Sequence, residues 1–137
     1  MWLELEGKTT RREPDLQIIL KTNPGTLHQT YMDGPADICI EVVSSGSVSI
    51  DSGDKLAEYE KGGVGEYWIF DPERQVSHFY RLTDAKLFKA HPVDADGHYT
   101  TPNLPHFKLL VSTLWQDPLP DVMQTAQMAQ AMFKDGE

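Results

Sequence analysis

The sequence DICIEVV at residues 37–43 decides the fold. A short, apolar and β-branched segment of this kind, ended by the Ser/Gly loop at residues 44–47, is typical of a buried strand. Because side chains alternate along a strand, Asp37 and Glu41 share one face while three aliphatic side chains share the other. We therefore predict a buried strand that carries an acidic pair.

The segments on both sides of this strand have the patterns of a mixed α/β domain. Before it, residues 15–20 (DLQIIL) are typical of a short apolar strand, and after it residues 51–61 (DSGDKLAEYEK) are typical of a helix capped by Asp51. We predict a single domain over residues 1–137, in which a mixed β-sheet is flanked by helices. The remaining elements are a hairpin of strands at residues 66–71 and 75–82, weaker strands at 86–91, 98–101 and 107–110, and a terminal helix within 119–137.

The composition fits a soluble protein of a reducing compartment. Hydrophobic residues make up 39% of the chain, and no apolar run approaches the ~20 residues that a membrane span requires. The N-terminal MWLELEGK lacks the basic start and apolar stretch of a signal peptide. One cysteine, Cys39, excludes an internal disulfide. We therefore expect a cytoplasmic protein that makes no contact with a membrane.

The chain as a whole is acidic, which limits how it can bind nucleic acid. Lys and Arg number 12 against 21 Asp and Glu, so the formal charge is −9 and the surface repels phosphate overall. Any contact with DNA must therefore be local. Arg11 and Arg12, beside the strand at residues 15–20, are candidates for contact with a phosphate backbone, and the alternative is a solvated basic pair.

Three side chains on neighbouring elements have the chemistry of a phosphodiesterase: Asp15, Glu41 and Lys55. Two carboxylates that project from adjacent strands suit Mg²⁺ or Mn²⁺, with water and phosphate oxygens as the other ligands. A nearby lysine orients the attacking water and offsets charge on the transferring phosphoryl group. The structural alternative is that Asp15 caps a strand entry and Glu41 pairs with Lys55. Glu41 requires an explanation either way, because a buried unpaired carboxylate is costly.

A known family has the same motifs in the same order. The motifs are EPDL at residues 13–16, GPADICIEVVS at 34–44, Asp51 with Lys55 and Tyr59, GVGEYWIFD at 63–71, and LPHF at 104–107. From about residue 13 to 114 the chain resembles the Uma-two-like family of the PD-(D/E)XK nuclease superfamily. The resemblance implies a restriction-endonuclease-like α/β core and hydrolysis of DNA that depends on Mg²⁺ or Mn²⁺.

The resemblance also implies roles for individual residues. Asp15 resembles the aspartate of the PD motif and Glu41 the acidic residue of (D/E)XK, so both are implied as metal ligands and catalytic residues. Val43 occupies the position of the motif lysine, and Lys55 on the following helix takes that role. Such a shift is physically reasonable, since a flexible four-carbon side chain delivers an ammonium to the same point from a neighbouring element.

Four more positions are assigned by the same comparison of motifs. Asp37 and Asp51 match further acidic positions of the family pattern and are supporting candidates. We expect Asp37 near the metal and Asp51 as the helix cap and a partner for Lys55. Tyr59 and Trp68 are interpreted as packing residues.

The chain departs from the family pattern at its start. Met1 stands only 14 positions before Asp15, whereas family members carry several dozen residues there, including a helix with an acidic residue and the first strands. We therefore expect the front of the fold to be absent. A second function stays open: a non-catalytic homodimer that retains the nuclease scaffold. The Met-rich terminal helix is expected to serve core or dimer packing.

Overall fold

The computed structural model describes residues 1–43 and 51–134, except for the side chains of Asp51 and Ser52. The chain contains two compact units, Met1–His91 and Pro92–Glu137. The single domain expected from the sequence stays a prediction beside this division. The Ser/Gly loop at residues 44–47 lies outside the described residues. Within the described part, no helix is long and apolar enough to cross a membrane.

The first unit is built mainly of strands, with one helix among its described residues. Its elements in chain order are β1 (Trp2–Leu5), β2 (Lys8–Arg11), β3 (Leu16–Ile18), β4 (Thr26–Leu27), β5 (Met32–Asp33), β6 (Ile38–Val42), α1 (Asp51–Lys61), β7 (Glu66–Asp71), β8 (Val76–Leu82) and β9 (Phe88–Ala90). The helix has the predicted bounds. The strands predicted at residues 15–20, 37–43 and 86–91 are confirmed with shorter bounds.

The main sheet has the spatial order β3-β6-β7-β8-β9. β6 and β7 run parallel, whereas β3 with β6, β7 with β8, and β8 with β9 are antiparallel. A parallel pair requires a crossover, and α1 lies in the connection between β6 and β7. β6 is flanked on both sides, and its residues 38–41 are buried. The mixed α/β class predicted from the sequence is confirmed.

The hydrophobic core of the first unit includes residues from α1 and the main sheet. Tyr59 of α1 meets Tyr67 of β7 edge to face, with 4.8 Å between the ring centroids. Cys39 of β6 is buried in the same cluster. Burial, helped by the negative charge of Glu41, raises the pKa of the Cys39 thiol to about 12. This thiol therefore stays protonated and acts as an apolar core group.

A hairpin that the sequence analysis did not predict precedes β3. β1 and β2 pair antiparallel through a two-residue turn, Glu6-Gly7, in which both residues have positive φ (51° and 78°). Two positive φ values match the type I′ turn, whose twist suits a tight hairpin. Leu3 of β1 is buried in the core cluster, and a Cβ at Gly62 would lie 2.8 Å from its Cδ1. The front of the chain thus supplies a hairpin and a core side chain to the first unit.

The second unit contains a β-hairpin and the terminal helix. Its elements are β10 (His98–Thr101), β11 (Leu104–Leu110), a 3₁₀ helix (Val111–Trp115) and α2 (Val122–Lys134). The predicted terminal helix is confirmed with narrower bounds. Asp121 explains its start: the Gln124 backbone N–H donates to Asp121 Oδ1 (2.8 Å), and the Asp121 N–H donates to Gln124 Oε1 (2.9 Å). This reciprocal pair is a capping box.

Candidate active site

Glu41 of β6 is a buried carboxylate with two partners from α1. Its side chain is only 8% exposed. The Tyr59 hydroxyl donates a hydrogen bond to Oε1 (3.0 Å), and the Lys55 Nζ lies 3.5 Å from Oε2. Lys55 and Tyr59 are four residues apart, so one face of α1 presents both groups to the strand. The crossover between two parallel strands therefore brings an ammonium and a phenol to one carboxylate.

Asp15, just before β3, lies next to Glu41 of the neighbouring strand β6. The antiparallel register pairs Leu16 with Ile40, so its continuation places Asp15 opposite Glu41. Residues opposite each other in an antiparallel pair project to the same face. The backbone N–H of Val42 donates to Asp15 Oδ2 (2.8 Å), which holds this exposed carboxylate at the start of β3. The structure thus brings together the three predicted catalytic residues.

The pKa of Glu41 shows how these groups act on one another. Burial raises the pKa of Glu41 above its ordinary value of 4.5, the Tyr59 hydrogen bond and the Lys55 charge lower it, and the Asp15 charge raises it further. Burial also raises the pKa of Tyr59, followed by the effect of the Glu41 charge, so the phenol stays a neutral donor. The Asp15 charge disfavours the ionised form of Glu41, and a cation bound beside the two carboxylates would offset that repulsion.

This raised pKa gives a prediction about pH and stability. Between 4.5 and the raised value, the folded metal-free protein binds more protons at Glu41 than the unfolded protein does. The free energy of unfolding contributed by Glu41 therefore falls as pH rises through that window and is constant above it. We expect wild type to lose stability relative to Glu41→Gln over this range in urea unfolding at a series of pH values. A relative gain would mean that the Lys55 and Tyr59 contacts outweigh burial.

A charged groove adjoins this cluster. It has a volume of about 480 Å³ and is lined by Arg11, Arg12, Glu13, Lys55 and Tyr59. The Arg12 side chain pairs with Glu58 of α1, and Arg11 pairs with Glu13. The structure therefore places both predicted substrate-binding arginines at the groove that Lys55 lines. Each of the two also has a carboxylate partner, which holds it in place and offsets its charge.

Asp37 does not join the Glu41 cluster. Its Oδ2 accepts hydrogen bonds from the Leu20 backbone N–H (2.7 Å) and the Asn23 side-chain amide (2.8 Å), so it holds the loop that follows β3. Four residues of strand, about 13 Å, separate Asp37 from Glu41. Asp37 therefore stands at the other end of β6, away from the position near the metal that we expected. The side chain of Asp51, the second supporting candidate, lies outside the described residues.

Tyr59 is the site residue that the sequence analysis interpreted as packing only. It does pack against Tyr67, yet its hydroxyl also donates to Glu41. The available signal was its spacing of four residues from Lys55, which places the two on one helix face. Trp68, by contrast, packs on Phe79 and donates from Nε1 to Glu66 (2.8 Å). Its interpretation as a packing residue agrees with these contacts.

The donor set suits a hard divalent cation better than zinc. Among the described residues, no group of three or more His, Cys, Asp or Glu side chains is close enough to hold a metal. The carboxylates of Asp15 and Glu41 face the same side, and Mg²⁺ is commonly held by one or two carboxylates together with waters and phosphate oxygens. Zinc instead prefers three or four His and Cys ligands. The residues present therefore fit a hard divalent cation better than zinc.

Comparison with known proteins agrees with this geometry. The family model Uma2, described as "Putative restriction endonuclease", matches residues 2–112. The chain belongs to the Uma2 family. This is the Uma-two-like family expected from the motifs, and the restriction-endonuclease-like fold class is confirmed with it. Membership in Uma2 supports a nuclease function.

A solved structure extends the comparison of this Uma2 chain. The chain is similar to a structure described as a "putative nuclease belonging to DUF820" from Anabaena variabilis ATCC 29413, with 19% identity and a TM-score of 0.48. The match covers 60% of this chain and 45% of the other, so the chain spans less than half of that protein's length. No curated protein matches the chain.

Proposed function

We propose that this chain is an endonuclease that hydrolyses phosphodiester bonds of DNA with Mg²⁺ or Mn²⁺ as its cofactor. The observation that carries the proposal is the position of Glu41, buried between Lys55 and Tyr59 and opposite Asp15. A purely structural Glu–Lys pair does not require a second, exposed carboxylate across from it. A cation site beside a lysine commonly uses one.

The side chains of this cluster have separate roles in the proposed reaction. Asp15 and Glu41 would hold the cation, which supplies a bound water of lowered pKa and polarises the phosphoryl oxygen. Tyr59 binds Glu41 Oε1 and so fixes the carboxylate with Oε2 on the Lys55 side. Lys55 orients the attacking water and offsets the charge that develops on the phosphoryl group.

The substrate is held locally, because the net charge of −9 disfavours contact with DNA elsewhere. Arg11 and Arg12 line the groove next to Lys55 and contact the phosphates that flank the scissile bond. These contacts carry no sequence information by themselves. The buried, unpaired Cys39 fits a protein that acts in the reducing cytoplasm.

A second candidate function is a non-catalytic scaffold that keeps the nuclease fold. The observation that favours it is the absence, among the described residues, of a third acidic or histidine ligand near Asp15 and Glu41. Binding of the metal separates the two functions, because a relic scaffold has no reason to retain an occupied cation site.

The experiment is titration calorimetry of Mn²⁺ into the metal-free chain and into Glu41→Gln. We expect saturable binding to wild type and a loss of affinity of at least about a hundredfold in the variant, since a charged ligand is removed. Glu73→Gln is the matched control: it makes the same chemical change at an exposed turn residue and should bind like wild type. No binding by folded wild type, or equal binding by Glu41→Gln, would contradict the proposal and favour the scaffold.

A further inference from the structure

Glu58 lies on the same face of α1 as the two residues that contact Glu41. It stands three residues after Lys55 and directly before Tyr59, and helix positions three and four residues apart are neighbours on the surface. Its Oε2 pairs with the Nε of Arg12, which lines the charged groove. The helix face that presents an ammonium and a phenol to the candidate site therefore also presents a carboxylate to one of the groove arginines.

The Arg12–Glu58 pair joins two elements whose backbones are fixed. Arg12 directly follows β2, where its N–H donates to the Met1 carbonyl (2.8 Å) and its carbonyl accepts from the Met1 ammonium (2.8 Å). The Glu58 carbonyl accepts the Gly62 N–H (2.8 Å) within the last turns of α1. The two side chains are 32% and 27% exposed, so water reaches the pair. A change of partner at Arg12 therefore requires movement of side chains only.

The other groove arginine is paired in a similar way. Arg11 binds Glu13, but these side chains are 60% and 69% exposed. An ion pair this exposed is weakened by water and by salt, whereas the half-buried Arg12–Glu58 pair is screened less. Of the two carboxylates, Glu58 therefore has the larger influence on what its arginine binds.

A carboxylate and a phosphate compete for the same guanidinium. Arginine forms the same charge-assisted hydrogen bonds with both groups, so each can take the place of the other. A phosphate that binds Arg12 either displaces Glu58 or shares the guanidinium with it. In the second case two negative charges lie a few ångströms apart and repel each other. In both cases Glu58 opposes the binding of phosphate.

We propose that Glu58 sets the affinity of the groove for DNA by competing with a backbone phosphate for Arg12. Glu58 acts through Arg12 and touches neither the cation nor the scissile bond. A phosphate that also meets Lys55 and the bound cation gains enough to displace Glu58, whereas a phosphate elsewhere on the duplex does not. This inference rests on the proposed binding of DNA at the groove, but it does not depend on cleavage.

The first test measures binding of a fluorescein-labelled DNA duplex of about 20 base pairs by fluorescence anisotropy, once with Ca²⁺ and once with EDTA. We expect Glu58→Gln to lower the dissociation constant about threefold to tenfold, because the competing pair and the repulsion are both removed. Glu73→Gln is the matched control: it makes the same chemical change at an exposed turn residue and should alter the constant less than about twofold. Circular dichroism and urea midpoints check that both variants fold like wild type.

The second test asks whether the gain acts through Arg12. Arg12→Gln alone should weaken binding and lower the slope of log affinity against log salt by about 1, since one phosphate contact is lost. Adding Glu58→Gln to Arg12→Gln should then bring no more gain than Glu73→Gln does, because the two residues act as one pair.

The outcomes separate this inference from the proposed nuclease function. Weaker binding by Glu58→Gln would mean that the carboxylate only braces Arg12, and an equal gain with and without Arg12 would mean a general effect of charge; each result would overturn the inference. Failure of folded wild type to bind the duplex would overturn it together with the proposed DNA substrate. A chain that cleaves no DNA but shows the gain through Arg12 would contradict the nuclease proposal alone.

Discussion

Replacing Glu41 by Gln is expected to lower the rate of plasmid cleavage by at least about a thousandfold, which corresponds to several kcal/mol of lost transition-state stabilisation. The substitution removes one of the two carboxylate charges that would hold the cation while keeping the size of the side chain. Gln retains an oxygen that accepts the Tyr59 hydrogen bond, so the local packing is preserved. The measurement is supercoiled plasmid cleavage with Mn²⁺ or Mg²⁺ under single-turnover conditions.

The fold of this variant should survive, which makes the loss interpretable. Glu41 is buried, and removing its charge relieves the cost of burial that raises its pKa. Lys55 loses the Glu41 charge, but its side chain is 25% exposed and can be solvated by water. We therefore expect a urea midpoint at neutral pH no lower than that of wild type. Glu73→Gln, which changes the net charge equally, should cleave at the wild-type rate; undiminished cleavage by Glu41→Gln would remove this residue from the active site.

The largest effect on stability is expected from Leu3→Ala. Leu3 is only 1% exposed and packs in the core cluster, so its truncation removes buried apolar surface and leaves a cavity. Substitutions of this type cost about 2–5 kcal/mol. Gly62 lies so close to Leu3 that a Cβ there would be 2.8 Å from its Cδ1, which indicates tight packing of β1 on the end of α1. Urea unfolding followed by circular dichroism measures the change.

The same substitution at an exposed leucine tests whether the expected loss of stability comes from burial of Leu3. Leu27→Ala removes the same atoms from a side chain that is 66% exposed and should alter stability by no more than about 0.5 kcal/mol. Equal, small effects of both substitutions would mean that the β1–β2 hairpin is peripheral to the core. A large effect of Leu3→Ala alone would establish the hairpin as part of the unit that holds α1 and, through it, Lys55 and Tyr59.

Much of the scaffold could be predicted from local patterns. DICIEVV is predominantly apolar because β6 lies between two other strands and residues 38–41 are buried. The bounds of α1 agree because composition acts within the helix itself. The β1–β2 hairpin escaped prediction because both strands are only four residues long and β2 (KTTR) carries no apolar side chain. Its one strong signal is the Glu6-Gly7 turn.

The candidate site, like the scaffold, could be predicted only in part from the sequence. The sequence by itself identified the candidate residues for the proposed chemistry, Asp15, Glu41 and Lys55, because residue type and motif order depend on no contact. Only the tertiary structure decided that Tyr59 binds Glu41 across 18 residues of sequence and that Asp37 serves a loop at the other end of β6. The physical reason is that a side chain's partner is set by strand register and by the crossover of α1, and neither is encoded within a local segment.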